Sequence, residues 1–434
     1  MKFVFSVLML LMTSLHVLKA QEPCASHQIL EHLAQENPTG AMAIKQWQEE
    51  AYSHARQNGP NKTAPLYQIP VVVHVVYTTA EENIPDSLIY QQIEVLNQDF
   101  RRLNPDTSLT RNEFKPVAGD AGIEFFLATL DPDGNPTTGI TRTQGNPGGF
   151  LGLFDPFSDN VKKTADGGKD AWPTDKYLNI WVCNILGGFG VLGYAYPPVG
   201  DVANWPAGTA PADTTLQGVV VHFPVFGPRN PLAAANGLDM VNRGRTLTHE
   251  VGHYLGLRHI WGDGDCTEDD GLNDTPPASD NANQVCDFTK NSCQDQGGTD
   301  FPDQIENFMD YAADSCMNMF TQEQVAAMQY VLDNFRNPLV ESGNNLTQNS
   351  IQAPNTGMQL YPNPAEDMVY IQWSGKAALG GHLALLDARG ALVKKLEIPA
   401  SSSYSMNIHS LPAGWYILRL NNEQGAFFQK LLVR

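Results

Sequence analysis

Residues 249–259 read His249-Glu250-Val251-Gly252-His253-Tyr254-Leu255-Gly256-Leu257-Arg258-His259, and this stretch constrains the fold more than any other. On a helix, residues four apart share a face, so His249 and His253 can turn two imidazoles toward one metal ion. Glu250 is one step on and falls beside that ion, where a general base belongs. Gly256 is the residue type that ends a helix in the left-handed conformation, which lets the chain bend back and return His259 as a third ligand. Three neutral imidazoles leave one position open, as in a catalytic zinc site.

What precedes this helix reads as a sheet that covers it. Residues 69–77 (Ile-Pro-Val-Val-Val-His-Val-Val-Tyr) are a β-branched run and hence a buried strand. His74 within that run is expected to be a core histidine rather than a ligand. Residues 87–103 carry Leu88, Ile89, Ile93, Leu96 and Phe100 at helical spacing. Residues 123–130, 139–143, 178–183 and 218–223 supply further strands. The order predicts an α/β catalytic domain in which a twisted, mostly parallel sheet lies over the active-site helix. A strand at the rim of a cleft can take an extended peptide as one more strand, and residues 178–195 are the candidate. Cys183 is expected to be a buried free thiol.

After His259 the chain becomes acidic and irregular. Asp263, Asp265, Glu268, Asp269, Asp270 and Asp274 are interspersed with Gly and Asn. Hard oxygen donors on a loop suit structural calcium, although the spacing is not that of an EF-hand. Cys266, Cys286, Cys293 and Cys316 should form two bridges in an exported chain, with three pairings open. In Asn307-Phe308-Met309-Asp310-Tyr311, Met309 in a tight turn is the expected apolar floor beneath the imidazoles. Tyr311 can aim its hydroxyl at the metal. Asp314 follows just past Tyr311, and a carboxylate in a partly desolvated pocket favours a cationic side chain. Residues 321–335 form a closing helix.

The two ends have other tasks. Residues 1–20, with Lys2 ahead of a long apolar run, have the plan of a signal peptide. Residues 21–58 read as a pro-segment with two helical stretches. It carries a lone cysteine, Cys24, whose thiolate could cap the open metal position as a zymogen switch. Residues 59–337 form the catalytic domain and 338–357 a polar linker. Residues 358–434 alternate like short strands (368–373, 382–387, 391–398, 403–408, 414–421, 427–433), which indicates a small β-sandwich. The net charge of −20, from 47 acidic and 27 basic residues, argues against nucleic acid or an anionic membrane as partner. Beyond the signal no stretch is long and apolar enough to span a bilayer.

Residues 60–336 resemble the pappalysin family of metzincin metalloproteases. The likeness rests on His249 through His259, on Asn307 through Tyr311, on Leu178-Asn179-Ile180-Trp181-Val182-Cys183, and on the four-cysteine insert. It implies that His249, His253 and His259 bind zinc, that Glu250 is the base and acid, that Met309 forms the Met-turn, and that Tyr311 stabilises the transition state. It also implies bridges Cys266–Cys293 and Cys286–Cys316, and structural calcium near Asp269, Asp270, Asp274 and Thr275. Cys24 matches the place of a cysteine switch, and an aspartate at the place of Asp314 accompanies a preference for Arg or Lys.

Residues 358–434 resemble the C-terminal sorting domain of the type IX secretion system. The matching residues are Leu360-Tyr361-Pro362-Asn363-Pro364-Ala365, Leu411-Pro412-Ala413-Gly414-Trp415-Tyr416 and Lys430-Leu431-Leu432-Val433-Arg434. That implies the secretion machinery as partner and an extracellular destination. The reading is a secreted zinc-dependent endopeptidase acting on proteins and peptides, made as an inactive zymogen. The competing reading is a secreted, metal-stabilised binding or adhesion protein without turnover, and the intact Glu250 argues against it.

Overall fold

The computed structural model describes residues 23–61, 66–135, 137–145, 158–185, 190–198, 214–295, 298–342, 358–373, 381–387, 392–399, 403–422 and 425–434. The signal segment and residues 343–357 of the linker lie outside the described residues.

Two helices come first, α1 (Ser26–Glu36) and α2 (Pro38–Asn58). Asn37 caps α2 by accepting the Gly40 N–H at 3.0 Å, with Pro38 opening the helix. The next elements are β1 (Tyr67–Tyr77), α3 (Asp86–Phe100), β2 (Ala118–Gly119), β3 (Ile123–Leu127), β4 (Ile140–Gln144), β5 (Leu178–Cys183), β6 (Gly193–Ala195) and β7 (Val219–His222). They are followed by α4 (Pro231–Ala235), α5 (Arg245–Tyr254), β8 (Phe320–Thr321) and α6 (Gln322–Asn334).

The main sheet has the order β3-β1-β5-β7-β6, with β4 continuing beside the second half of β1. All its pairs are parallel except β6 with β7. Parallel strands are covered on both faces, which explains why β1 and β5 read as mostly apolar runs. Val71, Val73, Val75, Ile180, Val182, Val219 and Val221 join one core with residues of α3 and α5. Val76, Trp181, Cys183, Tyr194 and Val220 belong to a second cluster on the opposite face. His74 is buried among strands, bonded to Thr141 (2.7 Å) and Asn179 (2.9 Å).

One expectation is corrected. Residues 178–183 do not line a rim: β5 lies between β1 and β7 and all six of its residues are buried. Within the described part of the candidate stretch, Gly193–Ala195, the antiparallel β6, is the strand that stands at a sheet edge. An edge strand leaves one side of its backbone unpaired within the sheet, whereas β5 has a strand on each side.

Between Tyr254 and Phe320 the described residues form no helix and no strand. Disulfides Cys266–Cys293 and Cys286–Cys316 cross-link this stretch. Then α6 closes the unit with a capping box of Thr321 and Gln324, and it packs on α2.

The C-terminal region holds β9 (Met358–Tyr361), β10 (Met368–Trp373), β11 (Gly381–Asp387), β12 (Leu392–Ile398), β13 (Ser403–Asn407), β14 (Gly414–Asn422) and β15 (Gly425–Val433). Two antiparallel sheets, β13-β10-β9 and β12-β11-β14-β15, close on Val369, Ile371, Leu383, Leu385, Leu418 and Leu420. The alternating pattern of buried residues along β10 is what such a sandwich requires.

Candidate active site

α5 presents His249 and His253 on one face, and the chain leaves the helix at Gly256, whose φ is +92°. A Cβ there would come within 2.8 Å of the Trp47 ring, so both the backbone and the space require glycine. The bend returns His259. The Nε2 atoms of His249 and His253 are 3.0 Å apart, those of His253 and His259 3.0 Å, and those of His249 and His259 3.3 Å.

Each ring is held from behind. Nδ1 of His249 meets Phe308 O at 2.7 Å, Nδ1 of His253 meets Leu257 O at 2.8 Å, and Nδ1 of His259 meets Asp263 Oδ1 at 2.5 Å. Those partners accept hydrogen bonds, so the proton sits on Nδ1 and the three Nε2 lone pairs converge on one point. Tetrahedral zinc with Zn–N of about 2.0–2.1 Å sets its nitrogens about 3.3 Å apart, and the observed triangle fits such an ion. Burial also depresses the basicity of His249, to a pKa of about 3, and of His253, which keeps both rings neutral and able to bind a cation.

Glu250 is buried beside the triangle, and its burial raises its pKa to about 8. Its Oε2 accepts the Ser26 hydroxyl at 3.0 Å and the Cys24 thiol at 3.4 Å. Cys24 Sγ and the three histidine nitrogens all lie within 4.8 Å of one another. Burial, then the carboxylate of Glu250, push the Cys24 thiol pKa well up. The segment bearing Cys24 lies along the outer edge of β6: Leu192 N donates to Pro23 O (2.7 Å) and Ala25 N to Gly193 O (3.0 Å). Ala195 N donates to Ser26 Oγ (2.9 Å).

Met309 packs under α5, its Sδ only 2.4 Å from where a Cβ on Gly252 would stand. Glycine at position 252 therefore lets the methionine turn approach. Tyr311 places its hydroxyl 2.9 Å from His259 Nε2. Asp314 is buried, accepts the Arg243 N–H through Oδ2 at 2.6 Å, and leaves Oδ1 without a partner. It lines a cavity together with Val241, His249, Glu250 and Tyr311.

Asp270 is buried and holds the Thr275 hydroxyl (2.6 Å) and Leu272 N (3.0 Å) on Oδ1, with Oδ2 unpaired. Asp274 Oδ1 is also unpaired, and burial raises both carboxyls, Asp274 to about 6. Asp269 instead accepts the Gly271 N–H at its own turn (2.7 Å).

Three neighbours of this site were not singled out in the sequence. Ser26 gave no signal at all. Asp263 read as one acid of a loop, whereas it orients His259. Trp261 stacks on His259 with centroids 4.3 Å apart and an interplanar angle of 4°. An aromatic two residues after the third histidine, on a bend that must return toward the helix, was the available clue.

The chain is similar to known proteins along most of its length. The family model described as "Pregnancy-associated plasma protein-A" matches residues 160–333, and that described as "Secretion system C-terminal sorting domain" matches residues 359–434. An extracellular metalloprotease of Arthroderma otae is 27% identical over 307 residues, covering 69% of this chain and 92% of the relative. One from Arthroderma benhamiae is 29% identical over 292 residues, covering 66% and 80%.

Among solved structures, a promirolysin mutant from Tannerella forsythia is 38% identical with a TM-score of 0.63, covering 75% of this chain and 99% of that one. Mature mirolysin from the same organism, in complex with a cleaved peptide, is 41% identical with a TM-score of 0.57, covering 65% and 99%. No helix among the described residues is long and apolar enough to cross a membrane. The chain belongs to the pappalysin family of metzincin metalloproteases, a secreted metalloendopeptidase with a C-terminal sorting domain.

Proposed function

We propose that the protein is a zinc-dependent endopeptidase made as a zymogen and directed at bonds preceding Arg or Lys. The observation that carries this reading is the triangle of Nε2 atoms at 3.0–3.3 Å with Glu250 beside it. His249, His253 and His259 would hold the ion. When bound, zinc supplies Lewis acidity toward a peptide carbonyl and an attacking water.

Glu250 takes the proton of that water and delivers it to the leaving amine. The Tyr311 hydroxyl, already 2.9 Å from a ligand nitrogen, donates to the oxygen on which negative charge develops. Met309 is the floor. Leu192 N, Gly193 O and Ala195 N, which now meet residues 23–26, are the groups that pair with an extended substrate.

That occupancy supports a latent state. Cys24 faces the three imidazoles and, with Ser26, covers Glu250, so the pro-segment (21–58) blocks both metal and base. Asp314, with an unpaired oxygen at the cavity wall, favours a cationic side chain after the cut. The unpaired oxygens of Asp270 and Asp274 support calcium there, with Thr275 orienting Asp270 and Asp269 at the margin. The C-terminal domain serves as address for the secretion machinery.

Glu250→Gln tests the scheme. The variant should keep its zinc and its fold and lose turnover by about 10²–10⁴-fold, the usual share of a general base. Undiminished cleavage of gelatin by that variant would reject it.

A further inference from the structure

Strand β6 is three residues long, yet it meets the N-terminal segment along its outer edge and Glu250 below. Gly193 lies so close to Glu250 that an added Cβ would stand 2.8 Å from the carboxylate side chain. Side chains alternate along a strand, so Tyr194 and Tyr196 point the other way. Behind them lies Lys162, whose side chain is 0% exposed.

The Lys162 ammonium is 2.9 Å from Asp159 and donates to Leu216 O at 2.7 Å. It lies over the rings of Tyr196 at 3.8 Å, Tyr194 at 5.0 Å and Trp181 at 5.6 Å. Asp159 in turn accepts the Tyr196 hydroxyl at 2.5 Å and that of Tyr194 at 3.4 Å. Its backbone is left-handed, with φ 50°, which turns the carboxylate into this cluster. A second buried cation, Arg336, donates to Tyr196 O (3.5 Å) and to Tyr254 O at the end of α5 (3.1 Å).

A lysine is almost never fully buried unless paired, and desolvating its ammonium works against stability. A desolvated cation holds aromatic faces more firmly than an exposed one. Two of these faces belong to Tyr194 in β6 and Tyr196 just past its end, and the ladder of β6 with β7 spans only Gly193, Tyr194 and Ala195.

We propose that Lys162 is a positioning residue for substrate, its ammonium fixing β6 from behind so that the outer backbone groups of the strand stand ready to pair with an extended peptide. This rests on the reading of β6 as the substrate-pairing strand.

The test uses the mature enzyme, Lys162→Met, and the double variant Asp159→Asn with Lys162→Met, which avoids leaving a buried carboxylate alone. Two quenched-fluorescent peptides with Arg after the scissile bond are compared, one of four residues and one of ten. KM for the long peptide should rise about tenfold, the equivalent of one or two strand hydrogen bonds. KM for the short peptide, kcat for both and zinc content should stay within about twofold, the scatter of unrelated surface changes. A synthetic peptide of residues 23–30 should bind the metal-free variants about tenfold more weakly, by the same loss of strand pairing.

An unchanged KM for the long peptide, an equal change for both peptides, loss of zinc, or failure of the double variant to fold would each overturn the proposal. Absence of chelator-sensitive cleavage in the unsubstituted enzyme would remove the functional reading itself, and this inference with it.

Discussion

Residues 67–254 and residues 255–319 of the protease unit are built by different means. In the first, β1 alone puts Ile69, Val71, Val72, Val73, Val75 and Val76 wholly out of water. In the second, described residues form neither helix nor strand, and buried carboxylates organise the backbone instead. Asp303 holds Ser292 N, Glu306 holds Arg111 N, Asp310 holds Ala282 N and Asp314 holds Arg243 N. The candidate site lies on the seam. His249, Glu250 and His253 come from the ordered side, and His259, Met309, Tyr311 and Asp314 from the other. Its precision therefore depends on a region without helix or strand, whose Leu257, Ile260, Phe308 and Met309 join the main core but whose backbone is fixed by disulfides and buried carboxylates.

The largest test of that contrast removes a cross-link. Cys286–Cys316 anchors the turn after Tyr311, with a sequence separation of 30. Replacing both cysteines by alanine should lower unfolding free energy by about 2–4 kcal/mol and speed zinc loss to a chelator. Urea titration and metal release measure the two effects. A loss below about 1 kcal/mol would mean that the irregular side is self-sufficient, and the contrast would break.

Calcium should act on the same side. At a hundredfold excess over its dissociation constant, calcium should add about 2–3 kcal/mol, seen as a rise in Tm with zinc held constant. Asp270→Asn should abolish the rise, and a rise that persists would locate the ion elsewhere.

The buried carboxylates also give this side a pH signature. Burial raises the pKa of Asp314 from 3.8 to about 6. Between these values the folded state binds the proton more tightly than the unfolded chain. The contribution of Asp314 therefore falls as pH rises through pH 4–6, by an amount on the order of 2 kcal/mol. Asp314→Asn keeps an acceptor for Arg243 N but does not titrate. In metal-free protein, the stability of wild type relative to this variant should decline across that window. A flat difference would show that Asp314 is solvated. The same variant should lose any preference for Arg or Lys after the cut.

The sequence was legible where periodicity or residue chemistry was strict. The helix carrying His249 and His253, the left-handed Gly256 and the alternation of the C-terminal strands follow from local rules. Position at a sheet edge does not: 178–183 and 193–195 are distinguished by neighbours far along the chain. Asp263 looked like one acid among six, because only the bend after Gly256 brings it behind His259. Ser26 reaches Glu250 across 224 positions, a distance over which no local pattern is informative.

The smallest expected effect separates support from chemistry at the seam. Met309→Leu conserves volume and should change stability by less than about 1.5 kcal/mol. Branching at Cγ, however, brings carbon against Gly252, where the thioether now fits under the helix. A misplacement of about 1 Å costs about a hundredfold in rate, so a shift of a few tenths should lower kcat/KM by several-fold. Urea midpoints and kcat/KM on one peptide, measured side by side, decide the matter. If both are unchanged, the methionine turn is filler, and the irregular side shapes the site only through His259, Tyr311 and Asp314.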